Sequence, residues 1–166
     1  GSDMTLSMGL VLTKPNKPIN FVASMTDETE MKAKNFKPGQ SAEEKEKNAI
    51  ALFGEVIGWE DYLDMKEDFE EKVLPAAEKY SAQFGTAFWY RLLEFCDMAA
   101  QVKKGDIKAT MWKSKLRYSF TRNVLENIKD ESLLDVMGAL HGLIDTYDSS
   151  FKMILMEHLY KRRERQ

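Results

Sequence analysis

The side chains best suited to chemistry in this sequence are one cysteine and two histidines, and their surroundings argue against catalysis. Cys96 stands among apolar residues, where burial raises the pKa of a thiol and keeps it in its unreactive form. His141 and His158 are seventeen residues apart. Neither belongs to the Glu-x-x-His pair that a two-metal carboxylate bundle takes from two of its helices.

Motifs for known catalytic machinery are missing as well. The chain has no glycine-rich phosphate loop, no GxSxG nucleophile turn and no HExxH zinc signature. We therefore expect no enzyme activity, no catalytic residue, no metal and no cofactor. A metal-dependent or hydrolytic enzyme stays as a third hypothesis that no motif supports.

A basic stripe is the first candidate binding feature. Between Ile107 and Lys129, a cation recurs every seven residues, and seven residues turn an α-helix through nearly two full turns. One helix would therefore carry these cations on one side, with two aromatic rings beside them and two further lysines extending the row. The candidate nucleic-acid-binding residues are Lys103, Lys104, Lys108, Trp112, Lys115, Tyr118, Arg122 and Lys129.

Cations in a row beside stackable rings favour a phosphate backbone with unpaired bases. The same stripe could instead pair with the protein's own acidic helix, since seven carboxylates fall between Glu60 and Glu71. That acidic face could also dock a basic partner, or it could only keep its helix soluble. Nucleic-acid binding is therefore an alternative hypothesis.

An apolar seam near the C-terminus is the second candidate. Its residues are spaced alternately by four and three, which is typical of a helix with one long packing partner. The seam could pack inside the chain or pair two copies, and Gly138 and Gly142 would allow a close helix approach. The candidate self-association residues are Leu133, Met137, Leu140, Ile144, Tyr147, Phe151 and Ile154.

The element that must position these features is the segment Thr86–Lys104, which is apolar almost all the way round. Its one polar stripe consists of Arg91, Glu94, Asp97 and Gln101. A helix of this kind is stable in water only when other elements surround it. We therefore predict an all-α, single-domain bundle of five or six helices around a central apolar helix.

The N-terminal region differs from the rest of the chain. We predict that residues 1–40 form an extended arm and a linker, because Pro15 and Pro18 exclude a helix around them. Residues 1–3 are expected to be a cloning remnant. The helical bundle domain is predicted to span residues 41–166, with capping boxes at Ser41–Glu44 and Ser132–Asp135, and its first helix is predicted to run to Gly58.

Composition adds the remaining expectations. The net charge of −3 does not suggest a general binder of nucleic acids or membranes, and no apolar run is long enough to span a bilayer. A single cysteine favours a reducing, cytoplasmic location. The leading hypothesis is a non-enzymatic interaction or assembly protein that acts through helix surfaces, with a protein partner or a second copy of itself.

Overall fold

The computed structural model of the protein describes residues 6–36 and 48–164. Most of these residues are helical, and a small three-stranded sheet is the β-structure among them, so the predicted helical fold class is confirmed. The chain divides into two compact units, Gly1–Asp64 and Met65–Gln166. The boundary predicted between residues 40 and 41 falls outside the described residues.

The first unit combines one helix with the sheet. Its elements are β1 (Met8–Leu10), α1 (Ile19–Lys34), β2 (Ala49–Leu52) and β3 (Glu55–Gly58). The strand order is β1-β2-β3, with β1 parallel to β2 and β2 antiparallel to β3. Helix α1 packs against the sheet, chiefly on β1 and β2.

The prediction of a helix that ends at Gly58 is wrong, because residues 49–58 form a β-hairpin. Phe53 and Gly54 have positive φ values of 54° and 84°, as in the two-residue turn whose twist matches that of the flanking strands. All four residues of β2 are buried, so the strand is apolar without alternation and its spacing resembles that of a helix. The capping box at Ser41–Glu44 lies outside the described residues.

The extended arm and linker predicted before residue 40 also need a correction, because residues 19–34 are helix α1. Pro18 precedes the first helical residue, a position at which proline does not disturb a helix. The polar run interpreted as linker is the exposed side of this helix, while Ala33 is buried. The hydroxyl groups of Thr26 and Thr29 donate to carbonyl oxygens four residues earlier, at 2.9 and 2.7 Å.

The second unit is built from helices. Its elements are the end of α2 (Trp59–Lys72), α3 (Leu74–Lys79), α4 (Thr86–Lys103), a 3-10 turn (Ile107–Met111), α5 (Trp112–Phe120), a π-helical turn (Thr121–Leu125), α6 (Leu133–Tyr147), a second 3-10 turn (Asp148–Phe151) and α7 (Lys152–Glu164). Helix α4 contacts α5, α6, α7 and both 3-10 turns. The predicted central helix is therefore confirmed.

Aromatic packing holds α4 in place. Trp89 and Leu92 are completely buried, and the indole N–H of Trp89 donates to the carbonyl oxygen of Phe84 at 2.9 Å. The Phe88 ring meets the rings of Phe84 and Phe120 edge to face, at centroid distances of 5.4 and 6.1 Å. The polar stripe of α4 is exposed, as predicted.

The continuous helix predicted for residues 107–129 is wrong. The Asp106 carboxylate accepts a hydrogen bond from the Lys108 amide at 3.0 Å and starts a 3-10 turn before α5. After α5, the Glu126 amide donates to the Thr121 carbonyl oxygen five residues earlier, at 2.9 Å, which is the π-helical pattern. Three helix types with different twists cannot keep a seven-residue stripe on one side.

Helix α6 begins on a different cap from the one predicted at Ser132–Asp135. Ser132 makes no side-chain capping bond. Instead, the Asp130 carboxylate accepts hydrogen bonds from the Ser132 amide and hydroxyl at 3.1 and 2.6 Å, and from the Tyr80 hydroxyl at 2.6 Å. The hydrogen bonds from Ser132 and Tyr80 hold the pKa of Asp130 well below its usual range.

This cap generates a pH prediction. Because the native pKa of Asp130 is depressed, its contribution to stability is complete above about pH 4 and is lost as the pH falls toward the lower native pKa. Asp130→Asn should lower the melting temperature at pH 7, and the difference from the wild type should shrink below pH 4. Glu131→Gln, which removes a neighbouring exposed charge, is the matched control. Thermal melts from pH 2 to 7 test this; a deficit that is independent of pH would contradict it.

Candidate functional site

Cys96, His141 and His158, the residues best suited to chemistry, are packed against other side chains in the structure. Cys96 is completely buried, and this burial raises the pKa of its thiol far above the ordinary range. The His141 ring lies 5.0 Å from the Trp112 ring, and the His158 ring lies 4.5 Å from that of Trp89. The described residues contain no group of three or more histidine, cysteine, aspartate or glutamate side chains placed to hold a metal ion.

The predicted basic stripe is not one surface. Trp112 is only 1% exposed, so its ring is closed to a nucleic-acid base. Lys103 pairs with Asp148 at 2.6 Å and also donates to the Thr146 carbonyl oxygen at 3.2 Å. Lys104, Lys108 and Lys129 are exposed, and none of them lines the cleft described next.

Helices α4 and α5, together with the π-helical turn, form a cationic cleft that sequence periodicity did not reveal. Its volume is about 530 Å³. It unites Lys115, Tyr118 and Arg122 of the predicted stripe with Arg91 and Glu94 of the polar stripe on α4. The complete lining is Arg91, Glu94, Phe95, Lys115, Tyr118, Ser119, Arg122 and Asn123.

Hydrogen bonds fix the wall of the cleft. The Arg122 guanidinium donates to the Tyr118 hydroxyl oxygen at 2.8 Å, and the Tyr118 side chain is left 62% exposed. Ser119 is only 6% exposed, and its hydroxyl oxygen lies 3.3 Å from Asn123 Nδ2 and 3.5 Å from Arg91 Nη1. The amide of Asn123 also donates to the Ser119 carbonyl oxygen at 2.6 Å.

The cations of this cleft form no salt bridge in the described part of the chain, although Glu94 lines the cleft and Glu126 lies close enough to Arg122 to interact with its charge. No ion pair joins Arg91, Lys115 or Arg122 to a described carboxylate. Within the second unit, the exposed carboxylates of α2 likewise form no ion pair with the predicted stripe. The cleft therefore keeps an excess of positive charge on a chain whose net charge is −3.

A second surface, the α5–α6 groove, lies on another side of α5. Its volume is about 440 Å³, and it is lined by Lys113, Ser114, Leu116, Arg117, Leu134, Met137, Gly138 and His141. Leu134 is 53% exposed, although it is a large apolar side chain. A Cβ atom placed on Gly138 or Gly142 would meet no described atom within 4 Å, so no described element covers these glycines.

The seam predicted for self-association is buried inside the second unit. Five of its seven side chains are buried, and a second copy cannot reach them without unfolding. These five are Leu133, Leu140, Ile144, Phe151 and Ile154, whereas Met137 and Tyr147 are half-buried. The seam packs α6 and α7 around α4. The outer face of α6, which lies away from the seam, remains exposed.

A third cavity, of about 570 Å³, has its charges compensated from within. Glu157 forms ion pairs with Lys66 at 3.2 Å and with Lys161 at 2.7 Å. Burial works to raise the pKa of Glu157, but the hydrogen bonds and charges of Lys161 and Lys66 hold that pKa below its usual value. This cavity consequently offers less uncompensated charge than the cationic cleft does.

Comparison of the chain with protein-family models, with curated proteins and with solved structures finds no match. Among the described residues, no helix has the length and apolar character needed to cross a membrane.

Burial of Cys96 leads to a reactivity prediction. A thiol-specific reagent should leave the native protein unmodified, and it should label the chain stoichiometrically in guanidinium chloride, because only the exposed thiolate reacts. The variant Thr110→Cys, which places a thiol on an exposed position of the 3-10 turn before α5, should react at once and serves as the control. Rapid labelling of Cys96 in protein with a native circular dichroism spectrum would contradict its burial.

Proposed function

We propose that this protein is a non-enzymatic helical interaction protein that self-associates through the outer face of α6. The observation that carries the proposal is the exposed α5–α6 groove, where Leu134 stands beside the uncovered Gly138, with the uncovered Gly142 one turn further along α6. An exposed apolar surface of this kind, rimmed by polar residues, is typical of protein interaction sites.

The spacing of this face suits another helix. Leu134, Gly138 and Gly142 are four residues apart, so they lie in one row along α6. Rows with this spacing interlock when two helices cross at about −50°. Because the two glycines have no side chains, a second helix could approach α6 more closely than the usual 8–10 Å between axes.

The charges around the groove favour a second copy of the same chain. Helix α5 presents Lys113 and Arg117, while α6 presents the exposed Asp145. Lys113 and Asp145 pair within the chain at 3.2 Å, and each stays about half exposed, at 49% and 54%. In a two-fold arrangement, Asp145 of each copy can meet the basic residues of the other copy.

Leu134 is the side chain whose replacement tests the proposed interface directly. Light scattering coupled to size exclusion should show the wild type shifting from monomer toward twice the chain mass as its concentration rises to tens of micromolar. Leu134→Glu should remain monomeric with an unchanged melting temperature, because the substitution places a charge in the interface and not in the core. Leu63→Glu is a matched control, since Leu63 is an equally exposed leucine on α2, at 57%.

The charge pairing can be tested in the same experiment. Arg117→Glu should weaken the dimer, and combining it with Asp145→Arg should restore it, because both partners of the pair change sign. A wild type that stays strictly monomeric, or a Leu63→Glu variant that loses the dimer equally, would refute the proposal.

Gly138→Ala separates the folding of α6 from its docking. Because the position is open within the chain, alanine should raise the free energy of unfolding of the monomer by up to about 1 kcal/mol through helix propensity. The added methyl group should nevertheless weaken the dimer, since it stands where the helices cross. Denaturant titration at low protein concentration and light scattering at high concentration measure the two effects. A variant that is stabilised and dimerises as well as the wild type would contradict this docking face.

A further inference from the structure

We propose that the cationic cleft binds single-stranded nucleic acid, with phosphates on Arg91, Lys115 and Arg122 and with an unpaired base against Tyr118. The cationic cleft and the α5–α6 groove have no lining residue in common, so binding in the cleft does not require self-association.

The positive charge of the cleft favours a ligand with phosphate groups. Three cations from α4, α5 and the π-helical turn surround one concave space that one carboxylate, Glu94, also lines, and none of the three forms a salt bridge with a described residue, so the cleft keeps a net positive charge. Guanidinium groups match the geometry of phosphate oxygens with two parallel hydrogen bonds, and Arg91 and Arg122 provide two such groups. An anion with several phosphates is the ligand that compensates this site best.

The exposed ring of Tyr118 provides a surface on which a base can stack. Tyr118 is 62% exposed, and its hydroxyl accepts a hydrogen bond from Arg122, which ties the ring to one of the phosphate-binding groups. An exposed ring held beside a cation is the arrangement on which unpaired bases stack in proteins that bind single strands. A base paired inside a duplex is already stacked and could not reach this ring, so the cleft favours a single strand.

The polar residues of the cleft determine which base fits best. The amide nitrogen of Asn123 is engaged by Ser119, so the acceptor oxygen of its side chain is the group left to face a ligand. Glu94 adds a carboxylate, which is also an acceptor. Acceptors recognise bases that carry an exocyclic amino group, as cytosine does and thymine does not. We therefore expect oligo(dC) to bind more tightly than oligo(dT).

The test is a fluorescence anisotropy titration of the full chain with labelled twelve-nucleotide oligo(dC), oligo(dT) and a duplex of equal length. Three phosphate contacts to a single strand give a slope of log K against log[salt] of about −2, so binding should weaken about 20-fold between 50 and 200 mM salt. Unlabelled cytidine monophosphate as a competitor distinguishes a strand site from a mononucleotide site. A phosphoserine peptide of matched charge distinguishes a phosphoprotein site.

The variants are chosen on exposed positions so that folding is preserved, which circular dichroism checks. Lys115→Glu with Arg122→Glu should abolish binding at 200 mM salt. Lys104→Glu with Lys108→Glu makes the same change of charge outside the cleft and should alter affinity less than about threefold. Tyr118→Ala should weaken binding roughly tenfold, whereas Tyr118→Phe should retain most of the affinity because the ring still stacks.

Tighter binding of oligo(dC) than of duplex, with loss confined to the cleft variants, supports the proposal. It is overturned by no binding at 50 mM salt, by equal loss in the Lys104 and Lys108 control, or by full binding in Tyr118→Ala. Stronger binding of the duplex, of oligo(dT), of the monophosphate or of the phosphopeptide would overturn it as well.

Discussion

Enclosure of α4 is the constraint on which the second unit depends. Trp89 and Leu92 lose all contact with solvent because α5, α6, α7 and the 3-10 turns surround this helix, and the rings of Phe69 and Phe84 also pack on Trp89. Burying an aromatic or leucine side chain contributes roughly 1.5–3 kcal/mol, so this helix supplies a large part of the driving force for folding. The same enclosure leaves a single strip of α4 open, and that strip carries the polar residues. Arg91 and Glu94 reach the cleft for this reason.

The sequence predicts α4 well because an element that is apolar on every side has one stable environment. It predicts the N-terminal unit poorly. β2 is buried along its whole length, so its apolar residues have no alternation that would distinguish a strand from a helix. In α1, a polar surface and a preceding proline resemble a linker, although proline immediately before a helix is compatible with it. In both cases the local sequence is compatible with two structures, strand or helix for β2 and helix or linker for α1, and tertiary packing decides between them.

The cleft shows the same limit at a candidate site. Lys115 and Arg122 belong to the seven-residue pattern, Tyr118 flanks it, and the structure keeps the three together. Their neighbours on α4 come from a segment more than twenty residues earlier in the chain, and no periodicity within one helix can reveal such a juxtaposition. Lys108 lies outside the cleft because the 3-10 turn before α5 has a different twist. A seven-residue repeat is informative only where one helix type continues.

The π-helical turn after α5 has a consequence for how this surface can change. A π turn holds one more residue than an α turn, so Thr121–Leu125 stores a single extra residue without breaking the helix. Deletion of one residue there would let the segment relax to α-helix and would change the directions of the side chains within the turn, while the elements after the turn could keep their places. Arg122 and Asn123 would leave the wall that Ser119 now anchors, while the buried contacts of α5 before the turn would stay as they are. A one-residue change in length, with no change in charge or hydrophobicity, could thus dismantle the cleft and spare the fold.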